Sequence, residues 1–364
     1  MTPMEPWERV WIDAETFAED IHSYINCTNC HGGEAVDDFE AAHANQIPAP
    51  VVNSPEVCGS CHVDNGQPAW DSLHNQLTGY DTAIYARSAP EHYAALEEME
   101  ANHCNSCHAT CGDCHVSQPA SVGGGLVKGH DFYTTPSMSQ NCTACHGSRV
   151  KNEYYGLNEG VSSDVHYRAR MACVECHTAD EMHGIGMEDV ANRYDGTPTP
   201  TCESCHEDIK MGEDSEIREH KIHEPEEMAC QVCHSTTYTN CINCHVEQSA
   251  NGTPFFTVED NFMGFYVGLN PEVSEERPYR LVPLRHVPID RESFSFYGEN
   301  LLPNYDSEPT WVYATPHNIQ RITPQTETCQ SCHGNDEFFL TADKVAEDEL
   351  IANENVIVEE APEW

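Results

Sequence analysis

Low regular secondary structure, with short helices, long loops and one small β-leaning insertion, is the fold class this sequence predicts. Three observations predict it. All 20 cysteines of the 364-residue chain fall into ten Cys-x-x-Cys-His motifs, with none left over. Most connections between motifs are 20 to 30 residues long and rich in Gly, Pro, Asn and Asp, which interrupt regular elements. One motif per about 36 residues leaves little aliphatic sequence from which to build a conventional core.

The motifs are Cys27, Cys30 and His31; Cys58, Cys61 and His62; Cys104, Cys107 and His108; Cys111, Cys114 and His115; Cys142, Cys145 and His146; Cys173, Cys176 and His177; Cys202, Cys205 and His206; Cys230, Cys233 and His234; Cys241, Cys244 and His245; and Cys329, Cys332 and His333. Paired cysteines also build zinc ribbons, dithiol redox sites and disulfide frameworks. A histidine directly after every pair points instead to c-type haem: the two thiols form thioethers to the porphyrin vinyl groups, and the adjacent imidazole binds iron. Ten covalently attached haem c groups are therefore expected, and porphyrin faces, more than aliphatic side chains, supply the buried apolar surface. The chain is thus read as wrapped around a chain of haems. In 104–115 only Ala109 and Thr110 separate two motifs, and six residues separate the motifs beginning at Cys230 and Cys241, so each pair predicts adjacent haems.

Taken in order, 13–24 reads as a helix with Asp13 as N-cap and Phe17, Ile21 and Tyr24 along one stripe. Pro48 and Pro50 break the polar stretch before the second motif. The clearest helix lies between Ser88 and Asn102, with Pro90 in its first turn. His166 and His223 each begin an H-x-x-x-x-M-A-C run into a motif, and His92, His130 and His317 each stand twelve residues before a first cysteine. Cys114-His115-Val116-Ser117-Gln118 reappears as Cys244-His245-Val246-Glu247-Gln248, which suggests a module used twice. The expected organisation is a nine-haem array over 1–250, an aromatic and Pro-rich haem-free insertion over 251–328, the tenth haem site over 329–340 and an acidic tail over 341–364. Within the insertion, 262–268 and 293–298 have strand character. Its expected role is to cover haem faces, with docking to another subunit as the alternative. The tail is expected to fray or to add a strand to a neighbour.

An iron that passes electrons without binding substrate needs a second axial ligand, and the supply is ample. Twelve histidines lie outside the motifs: His22, His43, His74, His92, His103, His130, His166, His183, His220, His223, His286 and His317. All twelve are candidate ligands for ten irons, the residues at repeated offsets being the best placed and His183 and His286 the most readily spared. His103 directly precedes Cys104, so its side chain points away from the haem attached there.

Seventeen basic against 61 acidic residues give a formal charge of −44. Such a polyanion disfavours nucleic acid and anionic membranes as partners and favours cationic redox proteins, metal ions and mineral surfaces. Its field also stabilises ferric over ferrous haem. Covalent haem attachment implies export, and no leader-like segment opens the sequence, so it reads as a mature form. No window approaches the roughly 20 apolar residues of a spanning helix. Extracellular or cell-surface placement is expected over periplasmic.

Over all ten motifs the chain resembles the multihaem cytochromes c of respiratory and extracellular electron transfer, a group that includes decahaem conduits and filament-forming cytochrome wires. That resemblance implies an electron conduit of closely spaced bis-histidine haems with no catalytic residues. It also implies possible polymerisation, since in filament-forming members a histidine of one subunit can ligate a haem of the next. The alternative is an oxidoreductase in which one five-coordinate haem reduces a small nitrogen or sulfur compound. No C-x-x-C-K motif of the nitrite and tetrathionate enzymes is present.

Overall fold

The computed structural model describes residues 5–363 apart from 77, 106–107, 120–121, 128, 188–189, 191, 196–198, 242–243 and 259–260, with the side chains of 52–55 also outside the description. The chain divides into two units. Met1–Tyr80, Cys104–Gly147 and Ala172–Thr199 form the first, and Asp81–His103, Ser148–Met171 and Pro200–Trp364 the second. Six motifs belong to the first unit and four to the second. The expected insertion 251–328 and tail 341–364 both fall inside the second.

Among its described residues the first unit has no strand, and its longest helix, Val63–Asp71, has nine residues. Helices this short are marginal alone, and caps set where they begin. The carboxylates of Asp13 and Asp38 accept backbone N–H groups of the turns that follow, and Thr110 and Asp113 form a capping box before Cys111–His115. The helix expected over 13–24 is two pieces. Ala14–Phe17 ends, and Asp20 restarts the chain by capping a 3₁₀ turn, Ile21–Tyr24. Breaking the stripe leaves Ile21 and Tyr24 outside, Tyr24 with 90% of its surface exposed.

Apolar packing differs sharply between the units. Of the described apolar side chains that are fully buried, Val116 lies in the first unit and all the others in the second. Trp7, Trp11, Phe39 and Val63 of the first unit are exposed. A unit of this composition has no aliphatic core of its own.

The second unit has one. The expected helix appears as a 3₁₀ turn Pro90–His92 running into Tyr93–His103, which buries Leu96 and Met99. Seven strands follow: β1 (Tyr238–Asn240), β2 (Cys244–Gln248), β3 (Pro254–Val258), β4 (Phe262–Gly264), β5 (Tyr266–Leu269), β6 (Leu281–His286) and β7 (Trp311–Tyr313). Antiparallel pairs β1–β4 and β2–β3 flank an antiparallel sheet in the order β5–β6–β7, in register Tyr266 to Leu284 and Leu284 to Tyr313. Gly268 in β5 is required by close packing, because a Cβ there would collide with Leu284 and with the Val356 carbonyl. The strand expected over 293–298 is instead a run of turns. Ser293, Ser295 and Tyr297 each donate to the carbonyl three residues back, and Asp290 N–H donates to the Ser293 hydroxyl. The tail does not fray but is docked within its own unit. Asn353, wholly buried, accepts the N–H groups of Thr310 and Trp311, while Val356 and Val358 bond to Leu269 and Leu340.

A buried ion pair crosses this core. Arg285 in β6 bonds Glu153, their side chains 8% and 1% exposed, and the guanidinium also lies over the Tyr238 ring at 5.2 Å. Burial pushes the Glu153 carboxyl above its ordinary range against the opposing pull of Arg285. Removing one partner strands a buried charge, so Arg285→Met is expected to destabilise the protein by about 3–5 kcal/mol, read from denaturant unfolding.

Candidate haem-binding sites

In a helical turn, residues i, i+3 and i+4 share a face, which puts both cysteines and the histidine of C-x-x-C-H on one side. The motifs adopt such turns. Cys27–His31, Cys111–His115 and Cys230–His234 are single α-turns. In five others the histidine N–H donates to the first cysteine carbonyl: His62 to Cys58 at 2.8 Å, His146 to Cys142 at 3.0 Å, and His177, His206 and His333 to Cys173, Cys202 and Cys329 at 2.9 Å. Cys107 lies outside the described residues. The ninth motif departs from the pattern, since Cys244 and His245 sit in β2, where neighbouring side chains point to opposite faces.

A histidine that binds metal through Nε2 commonly donates its Nδ1–H to a carbonyl or carboxylate, which fixes ring and tautomer. Six motif histidines follow that rule among the described residues. Nδ1 of His31, His115, His234, His245 and His333 meets the carbonyls of Ile47, Tyr133, Gln320, Glu292 and Glu363 at 2.7–3.3 Å. His177 meets the Glu181 carboxylate at 3.0 Å. For His31, His115 and His234 the same distant residue also donates its N–H to the histidine carbonyl, making a two-bond clip. The left-handed Gly32 and Gly33, directly after His31, turn the chain so that Ile47 can close its clip. Outside the motifs, His43 and His223 bond carbonyls four residues back, and His22 and His166 bond Asp20 and Asp164.

Seven motif imidazoles face a second imidazole from outside the motifs. In the first unit the pairs are His31 with His130 at 6.0 Å between ring centroids, His62 with His22 at 6.2 Å, His115 with His183 at 6.1 Å and His146 with His74 at 6.4 Å. In the second they are His206 with His166 at 6.1 Å, His234 with His220 at 6.0 Å and His333 with His223 at 6.3 Å. Other ring pairs span a wider range, from 4.2 Å for His22 with Phe132 to 6.4 Å for Tyr154 with Tyr155, so what sets the seven apart is that each joins one motif histidine to one outside the motifs. A metal–imidazole nitrogen bond is about 2.0–2.1 Å and the nitrogen stands about 1.1 Å from its ring centroid, so two imidazoles across one ion have centroids about 6.2–6.4 Å apart. The seven spacings, 6.0–6.4 Å, lie within about 0.2 Å of that range. Burial pushes His74, His130, His146, His183 and His234 below the ordinary histidine value, toward the neutral form that a metal takes. Among the described residues no group of three or more His, Cys, Asp or Glu side chains is placed to hold a bare metal ion.

Two histidines are built differently. His103 Nε2 lies 2.9 Å from the Tyr297 hydroxyl, which also accepts from Gln248, so the nitrogen a metal would use is already engaged in a hydrogen bond. His286 places Nε2 2.8 Å from Glu349 and stacks on Trp311 at 4.7 Å. His183, which the sequence made easiest to spare, instead faces His115 with its ring nearly parallel. His92 and His317 both belong to the second unit, His92 ending the turn Pro90–His92 and His317 following β7 by four residues. Among the described residues no imidazole faces His43, His92, His108 or His245 at the pair spacing. His130, despite its offset from Cys142, faces His31 rather than His146.

Thiol contacts join motifs as well. The first cysteines Cys58 and Cys111, Cys142 and Cys173, and Cys202 and Cys230 lie close enough to perturb one another's thiols. Residues that sequence reasoning missed are the Nδ1 partners Asp20, Asp164 and Glu181. For the first two a signal was present: Asp-x-His ending on a histidine outside the motifs occurs at 20–22 and 164–166 alone.

Among curated proteins the chain is similar to a high-molecular-weight cytochrome c of Nitratidesulfovibrio vulgaris (strain Hildenborough), 22% identical over 272 residues, which is 65% of this chain and 42% of that protein. The chain therefore spans less than half the length of this relative. No family model and no solved structure matches. Among the described residues no helix is long and apolar enough to cross a membrane. Short helices, small sheets and many loops among the described residues fit the architecture expected of a chain built around Cys-x-x-Cys-His motifs.

Proposed function

We propose that the chain is an electron conduit carrying ten covalent haem c groups, one per motif. Haem supplies a one-electron Fe(III)/Fe(II) couple when bound. What the chain's own residues do is fix each group through two thioethers and hold paired imidazoles on either side of it. The observation that carries this reading is the set of seven imidazole pairs, each joining one motif histidine to one outside the motifs at 6.0–6.4 Å. The thiol contacts between motifs support close spacing of the groups. In this reading His103 and His286 are the two surplus histidines, their Nε2 atoms being engaged by Tyr297 and Glu349.

The wider setting we propose is export to the cell surface or beyond, with cationic redox proteins, metal ions or minerals as acceptors, which the charge of −44 supports. A second reading is favoured by His108 and His245, which face no imidazole at the pair spacing among the described residues. An iron held from one side only is the place for an oxidoreductase acting on a small nitrogen or sulfur compound. His43 and His92 are equally unfaced, so supply still meets demand if copies of the chain complete each other's sites, as a filament would require.

Three measurements test the conduit. Intact mass is expected to exceed the polypeptide by ten haems, EPR to show only low-spin ferric haem, and carbon monoxide to leave the reduced spectrum unchanged. A high-spin fraction near one haem in ten that binds carbon monoxide sinks the conduit in favour of the enzyme. His130→Ala is expected to convert one haem to high spin, whereas His286→Ala leaves the low-spin signal whole. Protein made without haem attachment is expected to be cut first by protease within the first unit, which has no aliphatic core.

A further inference from the structure

Two of the seven imidazole pairs share a construction absent from the other five. In Asp20-Ile21-His22, one oxygen of Asp20 accepts the His22 N–H at 2.8 Å and meets the ring Nδ1 at 2.8 Å, while the other accepts the Phe132 N–H at 2.8 Å. Asp164-Val165-His166 repeats it. One Asp164 oxygen accepts the His166 N–H at 2.6 Å and meets Nδ1 at 3.0 Å, and the other accepts the Ile319 N–H at 2.5 Å. Each carboxylate is thus tied to its own turn and to a distant strand of chain, and their side chains are only 8% and 2% exposed. On His177, Glu181 makes the corresponding contact from one helical turn onward, its side chain 10% exposed. The remaining anchored rings, His31, His115, His223, His234 and His333 among them, meet neutral backbone carbonyls.

That difference has a chemical consequence. A carboxylate on Nδ1–H gives the imidazole more imidazolate character than a carbonyl does and raises its basicity toward metal. Hydrogen bonding to an axial ligand is one of the levers that set haem potential, and a more basic ligand favours ferric iron. We infer that Asp20, Asp164 and Glu181 are positioning residues that make the haems held by His22 with His62, by His166 with His206, and by His177 the low-potential members of the array, set apart from those whose histidines bond backbone carbonyls. The inference rests on the axial pairing proposed above.

The test uses the full haem-loaded protein and the variants Asp20→Asn, Asp164→Asn and Glu181→Gln, each followed by redox titration with EPR detection of individual low-spin ferric haems. Each amide keeps an acceptor oxygen and removes the charge. One haem signal per variant is expected to titrate at higher potential by at least a tenfold change in its reduction equilibrium, about 59 mV for a one-electron couple. Asparagine at 20 or 164 sets an amide against the Phe132 or Ile319 N–H and can cost stability. Glu181 has no such tie: its carboxylate hydrogen-bonds only the His177 ring among the described residues, so Glu181→Gln carries the test by itself if the other two fail to fold. A titration that superimposes on the parent while low-spin signals persist overturns the tuning role and leaves the axial pairing standing. If His22→Ala keeps every low-spin signal, the axial pairing itself is wrong and the tuning role falls with it.

Discussion

The arrangement that most of this molecule's long-range order serves is imidazoles from separate stretches of chain brought face to face at a nearly fixed separation. The half supplied by C-x-x-C-H is local, because one helical turn sets two thiols and an imidazole on a shared face. The opposing half is not. His130 reaches His31, His183 reaches His115 and His223 reaches His333, so each pair closes a long loop. Closing such loops costs conformational entropy that grows only slowly with their length. In the function proposed above, an anchored group held from both sides would meet that cost where short helices alone cannot.

The two units meet it by different means. In the first, Val116 alone among the described apolar side chains is buried against six motifs, and helices of at most nine residues provide the regular order. In the second, four motifs are mounted on a sheet with a packed interior: Tyr238, Leu284, Val267 and Val282 are almost wholly buried, and a docked C-terminal segment closes one side. The ion pair of Glu153 with Arg285 fits this picture. It lies inside the sheet-bearing unit and its carboxylate also accepts the His317 N–H at 2.8 Å, so a core charge pair helps fix the backbone next to a histidine.

What the sequence made legible follows the same local and non-local divide. The ten motifs, the Pro90 helix start and the poverty of regular structure could be read because they depend on neighbours in sequence. Helix 13–24 was misjudged because Asp20 competes for the backbone as a second cap, and 293–298 because Ser293 satisfies its neighbours as a turn before any strand partner is available. Partner choice was illegible for a different reason. The twelve-residue offset of His130 marks its distance from Cys142, yet the ring it faces belongs to a motif far upstream. The clips of Ile47 on His31 and Gln320 on His234 carry no composition signal, since any residue can offer a carbonyl.

Charge acts at two ranges in this chain, and the ranges decide what each can do. The net −44 is spread over the surface and, at physiological ionic strength, is screened beyond about 8 Å. It shifts every group in the same direction and cannot rank one against another. Asp20, Asp164 and Glu181 act at 2.8–3.0 Å from a ring nitrogen, far inside that length and mostly out of water. Under the tuning role inferred above, contacts of the second kind supply differences between groups that the diffuse net charge does not. In a chain with 61 acidic residues, it is then the three that touch these imidazoles, and not the sum of the rest, that would set one group apart from another.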